Sequence, residues 1–214
     1  EDLSPVRSYK IRGAFNAMSK QRALNPNHNS FVCASAGNHA QGFAYMCKSF
    51  DVEGEVYMPI TTPNQKIEKT RSFGGENVSI RLVGDYFDQT LAAAKKQCAE
   101  SGAHFIAPFD DTDVIEGQSS VAVEILDTLG TAPDLVILPV GGGGLSAGVT
   151  KLLRQIAPRT QYRFIEPAGG ASLAAALASG APETLPRVDT FVDGAAVARI
   201  GEHTFAELAG VDPT

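Results

Sequence analysis

The stretch Leu135-Val136-Ile137-Leu138-Pro139-Val140-Gly141-Gly142-Gly143-Gly144-Leu145-Ser146-Ala147-Gly148 decides the fold. Its first six residues form an apolar run that ends at a turn signal, which reads as a buried strand. Behind the glycines, Leu145, Val149, Leu152, Leu153 and Ile156 recur at helical spacing. A strand, a glycine loop and a helix in that order make an anion cradle. Without Cβ atoms, several backbone N–H groups can turn on one anion, and the helix N-terminus behind them adds its dipole. The apolar patterns on both sides set the run apart from a flexible glycine linker. No Gly-Lys-Ser/Thr follows, so the loop is not a P-loop. Nor is it a dinucleotide fingerprint, since the acidic residue needed about 20 positions on would have to be Glu166, which has another reading below. The loop holds a phosphate whose identity must come from elsewhere in the chain.

Outward from this stretch, strand and helix patterns alternate. Strands are expected at Phe31–Ser35, Glu55–Ile60, Asn77–Val83, His104–Pro108, Leu135–Val140 and Tyr162–Glu166. Residues 85–101 carry Phe87, Leu91, Ala94 and Cys98 on one helical face, and residues 118–129 carry Ala122, Ile125, Leu126 and Leu129. This alternation is the βαβ signature of parallel sheets with helices on both faces, and several strands read as apolar runs, as double coverage requires. The polar Asp110-Asp111-Thr112-Asp113 reads equally as a break between two lobes or as a surface turn.

The 214 residues suffice for one large or two small domains, and the 43% hydrophobic and 20% charged content is that of a globular protein. A net charge of −6 gives no electrostatic reason to expect nucleic acid or an anionic membrane as partner. No apolar run approaches the roughly 18–20 residues of a membrane helix, and no signal peptide opens the chain. Cys33, Cys47 and Cys98 are too few and too scattered for a disulfide scaffold or a zinc site and read as free core thiols, which fits a reducing cytoplasm.

Two further segments carry chemistry. Lys10, in Ser8-Tyr9-Lys10-Ile11-Arg12-Gly13-Ala14, stands where a helix begins, with Ser8 as the expected N-cap. The helix dipole opposes a positive charge there, so the lysine loses its proton more easily and suits a nucleophile or base. A phosphate cradle together with a reactive lysine is what pyridoxal phosphate asks of a protein. Ser35-Ala36-Gly37-Asn38-His39-Ala40-Gln41-Gly42 follows a strand and opens a helix. Its N–H groups can bind a second anion such as a carboxylate, and Asn38 offers an amide donor. The plainer readings are an N-cap for Asn38 and a hydrogen-bonded structural histidine for His39.

Together these segments resemble the fold-type II pyridoxal phosphate enzymes of the tryptophan synthase β-like architecture, and most closely their threonine dehydratase branch, over essentially the whole chain. The Ser-Tyr-Lys-Ile-Arg-Gly-Ala motif is similar to that branch's Ser-Phe-Lys-x-Arg-Gly-Ala, and Ser35 to Gly42 to its substrate loop. Cysteine and threonine synthases carry Lys-Asp-Arg and Gly-Asn-Thr instead. Leu185-Pro186-Arg187-Val188 and Asp193 to Glu202 look more like the biosynthetic than the catabolic form. The resemblance implies an α/β fold of two doubly wound, mostly parallel-sheet domains: a small domain over residues 32–112 inserted in a larger, cofactor-anchoring one formed by 1–31 and 113–214. It implies that Lys10 holds the cofactor covalently and acts as catalytic base, and that Asn38 bonds the phenolic oxygen. Gly141, Gly142, Gly143, Gly144 and Leu145 would bind the phosphate, and Ser35, Gly37, Asn38, His39 and Ala40 the substrate carboxylate. The implied reaction is dehydration and deamination of L-threonine to 2-oxobutyrate and ammonia in isoleucine biosynthesis, with L-serine as secondary substrate. The implied protein is a cytoplasmic homo-oligomer, dimer or tetramer.

Some positions depart from the pattern. Glu166-Pro167 stands where relatives begin a divalent-cation site, but the second carboxylate position is Ser172, so no metal is expected. Gly117-Gln118-Ser119-Ser120 replaces Gly-Gln-Gly-Thr and reads as a helix start. Glu1-Asp2-Leu3 without a methionine and an end at Asp212-Pro213-Thr214 read as a segment incomplete at both ends. The rival readings are a serine racemase or serine dehydratase, and a catalytically inactive fragment.

Overall fold

The computed structural model describes residues 1 and 3–211; the sequence readings at Asp2 and at Asp212-Pro213-Thr214 lie outside them. The chain divides into two compact units between Pro108 and Phe109.

In the first unit a parallel four-stranded sheet is built from β1 (Ser30–Ala34), β2 (Glu53–Met58), β3 (Val78–Leu82) and β4 (His104–Phe105), in the order β3-β2-β1-β4. The helices α1 (Lys10–Leu24), α2 (Asn38–Phe50), α3 (Asn64–Gly74) and α4 (Phe87–Ser101) lie before and between the strands. Successive side chains of a strand face opposite ways, and both faces are covered. On one, Val32, Ala34 and Tyr57 pack with Ala94 and Cys98 of α4. On the other, α2 comes so close that a Cβ on Gly54 would sit 2.5 Å from Cys47 Sγ and 3.0 Å from the Phe43 ring. Phe31 and Phe43 are fully buried, each worth about 1.5–3 kcal/mol of transfer free energy. α1 packs on α2 at Gly42, where a Cβ would lie 2.9 Å from the Ile11 nitrogen.

Expected and observed strand limits agree within two residues, except in β4. The apolar pattern there runs to Pro108, but β4 stops at Phe105. Beyond it, the Ile106 and Pro108 carbonyls accept side-chain hydrogen bonds instead of continuing a ladder. Ser8 is not the cap of α1: Tyr9 holds that position, already in helical geometry, and Ser8 Oγ accepts the Lys10 N–H from outside the helix at 3.3 Å. Cys33 and Cys47 are buried free thiols, and Cys98 is half-buried.

The second unit holds α5 (Thr112–Leu129), β5 (Leu135–Pro139), α6 (Gly144–Ile156), β6 (Gln161–Ile165), α7 (Ser172–Ser179) and α8 (Glu202–Leu208). β5 and β6 pair in parallel as a βαβ unit around α6. Val136, Leu138 and Tyr162 face Val149 and Leu153 of α6 and Ala122 of α5. Gly148 lets α5 and α6 cross closely, since a Cβ there would meet the Ile115 carbonyl at 2.4 Å. The apolar run of β5 predicted coverage on both faces, but burial alternates along it, and Ile137 and Ile165 are 60% and 54% exposed.

α5 begins six residues before its expected start, because Asp111 caps it by accepting from the N–H groups of Asp113 and Val114 at 2.9 and 3.0 Å. Gly117-Gln118-Ser119-Ser120 therefore lies mid-helix rather than at a helix start. The polar Asp110 to Asp113 segment follows the division between units directly. Packing groups α1 with residues 30–108; a larger domain made of 1–31 and 113–214 stays a proposal that rests on the resemblance.

Candidate active site

The strand order β3-β2-β1-β4 puts a topological switch point between β1 and β4: the chain leaves β1 toward β2 on one side, and β4 returns on the other. Loops from two such strands part at their carboxyl ends and leave a crevice, the general ligand position of open α/β sheets. Three sequence features meet there. The Ser35 to Gly37 loop leaves β1 and opens α2. His39, in the first turn of α2, is buried and donates from Nε2 to the Ile106 carbonyl behind β4 at 2.9 Å. Lys10, the first residue of α1, donates from Nζ to the Pro108 carbonyl at 2.5 Å, with Nζ 5.5 Å from the Tyr9 ring centre.

Burial sets the electrostatics of this crevice. Removing the ammonium from water brings the Lys10 pKa down from 10.5 to about 8. His39 falls to about 3, through burial first and then the nearby Lys10 charge, against the opposing bond to Ile106. His39 is therefore neutral, with its proton on Nε2, and Nδ1 has no hydrogen-bond partner among the described residues. The hydrogen-bonded structural reading of His39 matches its bond to Ile106.

Gly37, not Asn38, is the N-cap of α2, and Asn38 is its exposed first residue. Gly37 N–H is held by Ser35 Oγ at 3.2 Å. The N–H groups of Asn38, His39 and Ala40 belong to the first turn of α2, which has no intrahelical partners for them. That turn is a ready anion site beside the lysine.

In the second unit, Gly141, Gly142 and Gly143 form the loop, and Gly144 and Leu145 start α6. Each glycine has a steric reason. A Cβ on Gly142 would lie 2.3 Å from the Phe109 ring, one on Gly144 3.0 Å from Phe109 Cβ, and one on Gly141 3.0 Å from Ala195 Cα. Gly143 has φ +88° and would meet Thr204 at 2.9 Å, so it is both left-handed and crowded. The loop carbonyls are taken inside the unit: Gly141 by Ser172 Oγ, Gly142 by Thr204 Oγ1 and Gly143 by the Ala147 N–H. The buried N–H groups of Gly142 and Gly143 make no hydrogen bond among the described residues. Buried donors of this kind are rare unless something accepts from them.

Glu166 does not stand open as a cation ligand. Its carboxylate accepts from the N–H groups of Leu173 and Ala174 at 2.7 and 2.9 Å, capping α7; burial raises its pKa, and these bonds oppose the rise. No group of three or more His, Cys, Asp or Glu side chains among the described residues is placed to hold a metal ion. No helix among them is long and apolar enough to cross a membrane.

The structure thus brings Lys10 together with the Ser35 to Gly42 segment, and Gly141 to Leu145 with residues of the second unit. Sequence reasoning missed Phe109, Asp110, Ser172 and Thr204 around the glycine loop. Only Asp110 carried a signal, lying in a run of aspartates that precedes a helix.

The family model described as pyridoxal-phosphate dependent enzyme matches residues 1–212. The biosynthetic L-threonine dehydratase IlvA of Mycobacterium bovis is 49% identical over 209 residues, covering 98% of this chain and 48% of that protein. The processed form of threonine deaminase isoform 2 from Solanum lycopersicum superposes with a TM-score of 0.91 at 41% identity, over all of this chain and 61% of that one. Maize serine racemase superposes with a TM-score of 0.90 at 30% identity, over all of this chain and 63% of that one. The chain spans about half the length of the curated relatives it matches.

Proposed function

Because the chain belongs to the pyridoxal-phosphate dependent enzyme family, we propose that it is the cofactor- and substrate-holding part of a threonine ammonia-lyase. The enzyme converts L-threonine to 2-oxobutyrate and ammonia in isoleucine biosynthesis, with L-serine as a secondary substrate. The observation that carries this reading is the half-buried Lys10 at the switch point, whose amine bonds the Pro108 carbonyl and whose pKa desolvation lowers to about 8. It has the proton affinity that a nucleophile and base working near neutral pH requires.

The residues present fit pyridoxal 5′-phosphate on two counts. Lys10 offers a desolvated amine for covalent attachment, and the glycine loop offers buried N–H donors and close packing that side chains would block. When bound, the cofactor supplies an electron sink for the charge left on the substrate Cα and, through its phosphate, an acid for the departing hydroxyl. Everything else falls to this chain. Lys10 Nζ, released from its covalent attachment when the substrate's amine takes its place, would then take the proton from Cα. The first turn of α2, with Ser35, Gly37, Asn38, His39 and Ala40, receives the substrate carboxylate through backbone N–H groups. Asn38 also bonds the phenolic oxygen, and Gly141 to Leu145 hold the phosphate. His39, being neutral, adds no positive charge that would keep Lys10 from accepting a proton.

The likeness to maize serine racemase supports a second reading, racemisation or dehydration of serine from the same site. A cytoplasmic homo-oligomer of two or four chains, without nucleic acid or membrane as partner, rests on the resemblance and on the net charge of −6. Purified protein carrying its cofactor should absorb visibly near 410–420 nm, as expected of a lysine-bound cofactor, and Lys10→Ala should abolish the band. A band that survives Lys10→Ala refutes the assignment. Incubation with L-threonine and with L-serine, measuring oxo acid and D-amino acid, then separates the readings: D-serine formed without 2-oxobutyrate removes the first.

A further inference from the structure

The glycine loop is fixed by two hydroxyls, each carried on a helix that a carboxylate holds in place. Ser172, the first residue of α7, is fully buried, and its Oγ donates to the Gly141 carbonyl at 3.3 Å. Glu166 caps that helix through Leu173 and Ala174. Thr204 in the first turn of α8 is also fully buried, and its Oγ1 donates to the Gly142 carbonyl at 2.8 Å. Asp110 caps this second helix, accepting from the N–H groups of Glu202, His203 and Thr204 at 3.0, 2.8 and 3.3 Å. The fit is tight, since a Cβ on Gly201 would lie 2.3 Å from the Asp110 carboxyl.

A carbonyl and the next residue's N–H share one planar trans peptide and point opposite ways. Holding the Gly141 carbonyl therefore aims the Gly142 N–H, and holding the Gly142 carbonyl aims the Gly143 N–H. These are the two buried donors that have no partner among the described residues. Four glycines in a row would otherwise be the most freely rotating backbone in the chain. The hydroxyls remove that freedom from the side of the loop away from its donors.

We propose that Thr204 and Ser172 are positioning residues for phosphate recognition: they hold the glycine-loop carbonyls so that two consecutive N–H groups face the anion. The inference rests on the reading of this loop as the phosphate site. Its test compares, for parent and variants, the affinity of apoprotein for pyridoxal 5′-phosphate with that for pyridoxal, which lacks the phosphate and whose aldehyde is largely closed as a cyclic hemiacetal, an offset equal in every variant. Thr204→Val keeps the shape and removes the donor. It should weaken pyridoxal 5′-phosphate about tenfold, equivalent to roughly 1.4 kcal/mol, and leave pyridoxal unchanged. Ser172→Ala should act in the same direction, and Thr204→Ser, which restores the hydroxyl, should return the affinity to within about twofold of the parent. Thermal unfolding of each apoprotein identifies a variant that has failed to fold; if that variant is Thr204→Val, Ser172→Ala carries the test, because it removes the donor to the Gly141 carbonyl. Equal losses for both ligands would reduce Thr204 to a structural role and overturn the inference, as would a Thr204→Val protein with its preference for the phosphorylated ligand intact. A parent protein that does not prefer the phosphorylated ligand would overturn the phosphate reading itself.

Discussion

Capture of the cofactor by Lys10 should reach its full rate by about pH 9, whereas an ordinary lysine would go on accelerating to about pH 10.5. The perturbation is pH alone. Only the neutral amine attacks a carbonyl, so the rate follows its population. With the pKa lowered by burial from 10.5 to about 8, about a quarter of the molecules carry a neutral Lys10 at pH 7.5, against roughly 0.1% for the unshifted amine. The gain is roughly two-hundredfold at that pH, worth about 3 kcal/mol. The sign follows from the cause: desolvation penalises the charged form, so the neutral form appears at lower pH and the rate rises with pH until the group is fully deprotonated. Mixing apoprotein with pyridoxal 5′-phosphate and following the visible band from pH 6.5 to 10 gives the profile. A simple lysine derivative in the same buffers gives the reference. A profile that keeps climbing about tenfold per pH unit to pH 10, in step with the reference, would refute the buried-amine argument.

Three other perturbations test how each unit is held. Gly42→Ala would press a methyl against the Ile11 nitrogen at 2.9 Å, and backbone cannot yield there. It should cost about 1–3 kcal/mol in thermal unfolding and slow capture at Lys10; unchanged capture would remove Gly42 from the site. Gly142→Ala would collide with the Phe109 ring at 2.3 Å. In a cycle with Phe109→Ala, the double variant should be more stable than the sum of the two losses by at least about 1 kcal/mol, and additivity within about 0.5 kcal/mol would mean that the ring does not set the limit. His39 is buried neutral, with its pKa lowered from 6.5 to about 3. Between those values the unfolded chain binds more protons, so stability falls with acidity below about pH 6.5, by up to about 1.4 kcal/mol per pH unit. His39→Gln should flatten that slope in denaturant titrations between pH 6 and 4, and an unchanged slope would show that other groups set it.

What the sequence carried were local properties. The apolar run before Gly141 and the helical spacing after Leu145 announced β5 and α6, because side-chain periodicity is imposed by the element itself. Strand limits were legible where a ladder continues to the end of an apolar run. They failed at β4, whose later carbonyls serve His39 and Lys10, groups distant in sequence. The apolar spacing over 118–129 marks only the later part of α5, which begins at Thr112. Gly117 and the serines beside it weigh against a helix locally, and the cap at Asp111 overrides them.

Residue chemistry at the site followed the same division. The sequence alone determined that Lys10 begins a helix, that a bare loop precedes α6, and that a loop opening a helix follows β1. Each is a matter of neighbours in the chain. Only the tertiary structure decided that the Lys10 amine is desolvated, that His39 is neutral with an open Nδ1, and that Ser172 and Thr204 hold the loop. The physical reason is that burial and hydrogen-bond pairing depend on what the rest of the fold places around a group. Gly141 and Ser172 are 31 residues apart, Gly142 and Thr204 62, and no local pattern records those distances.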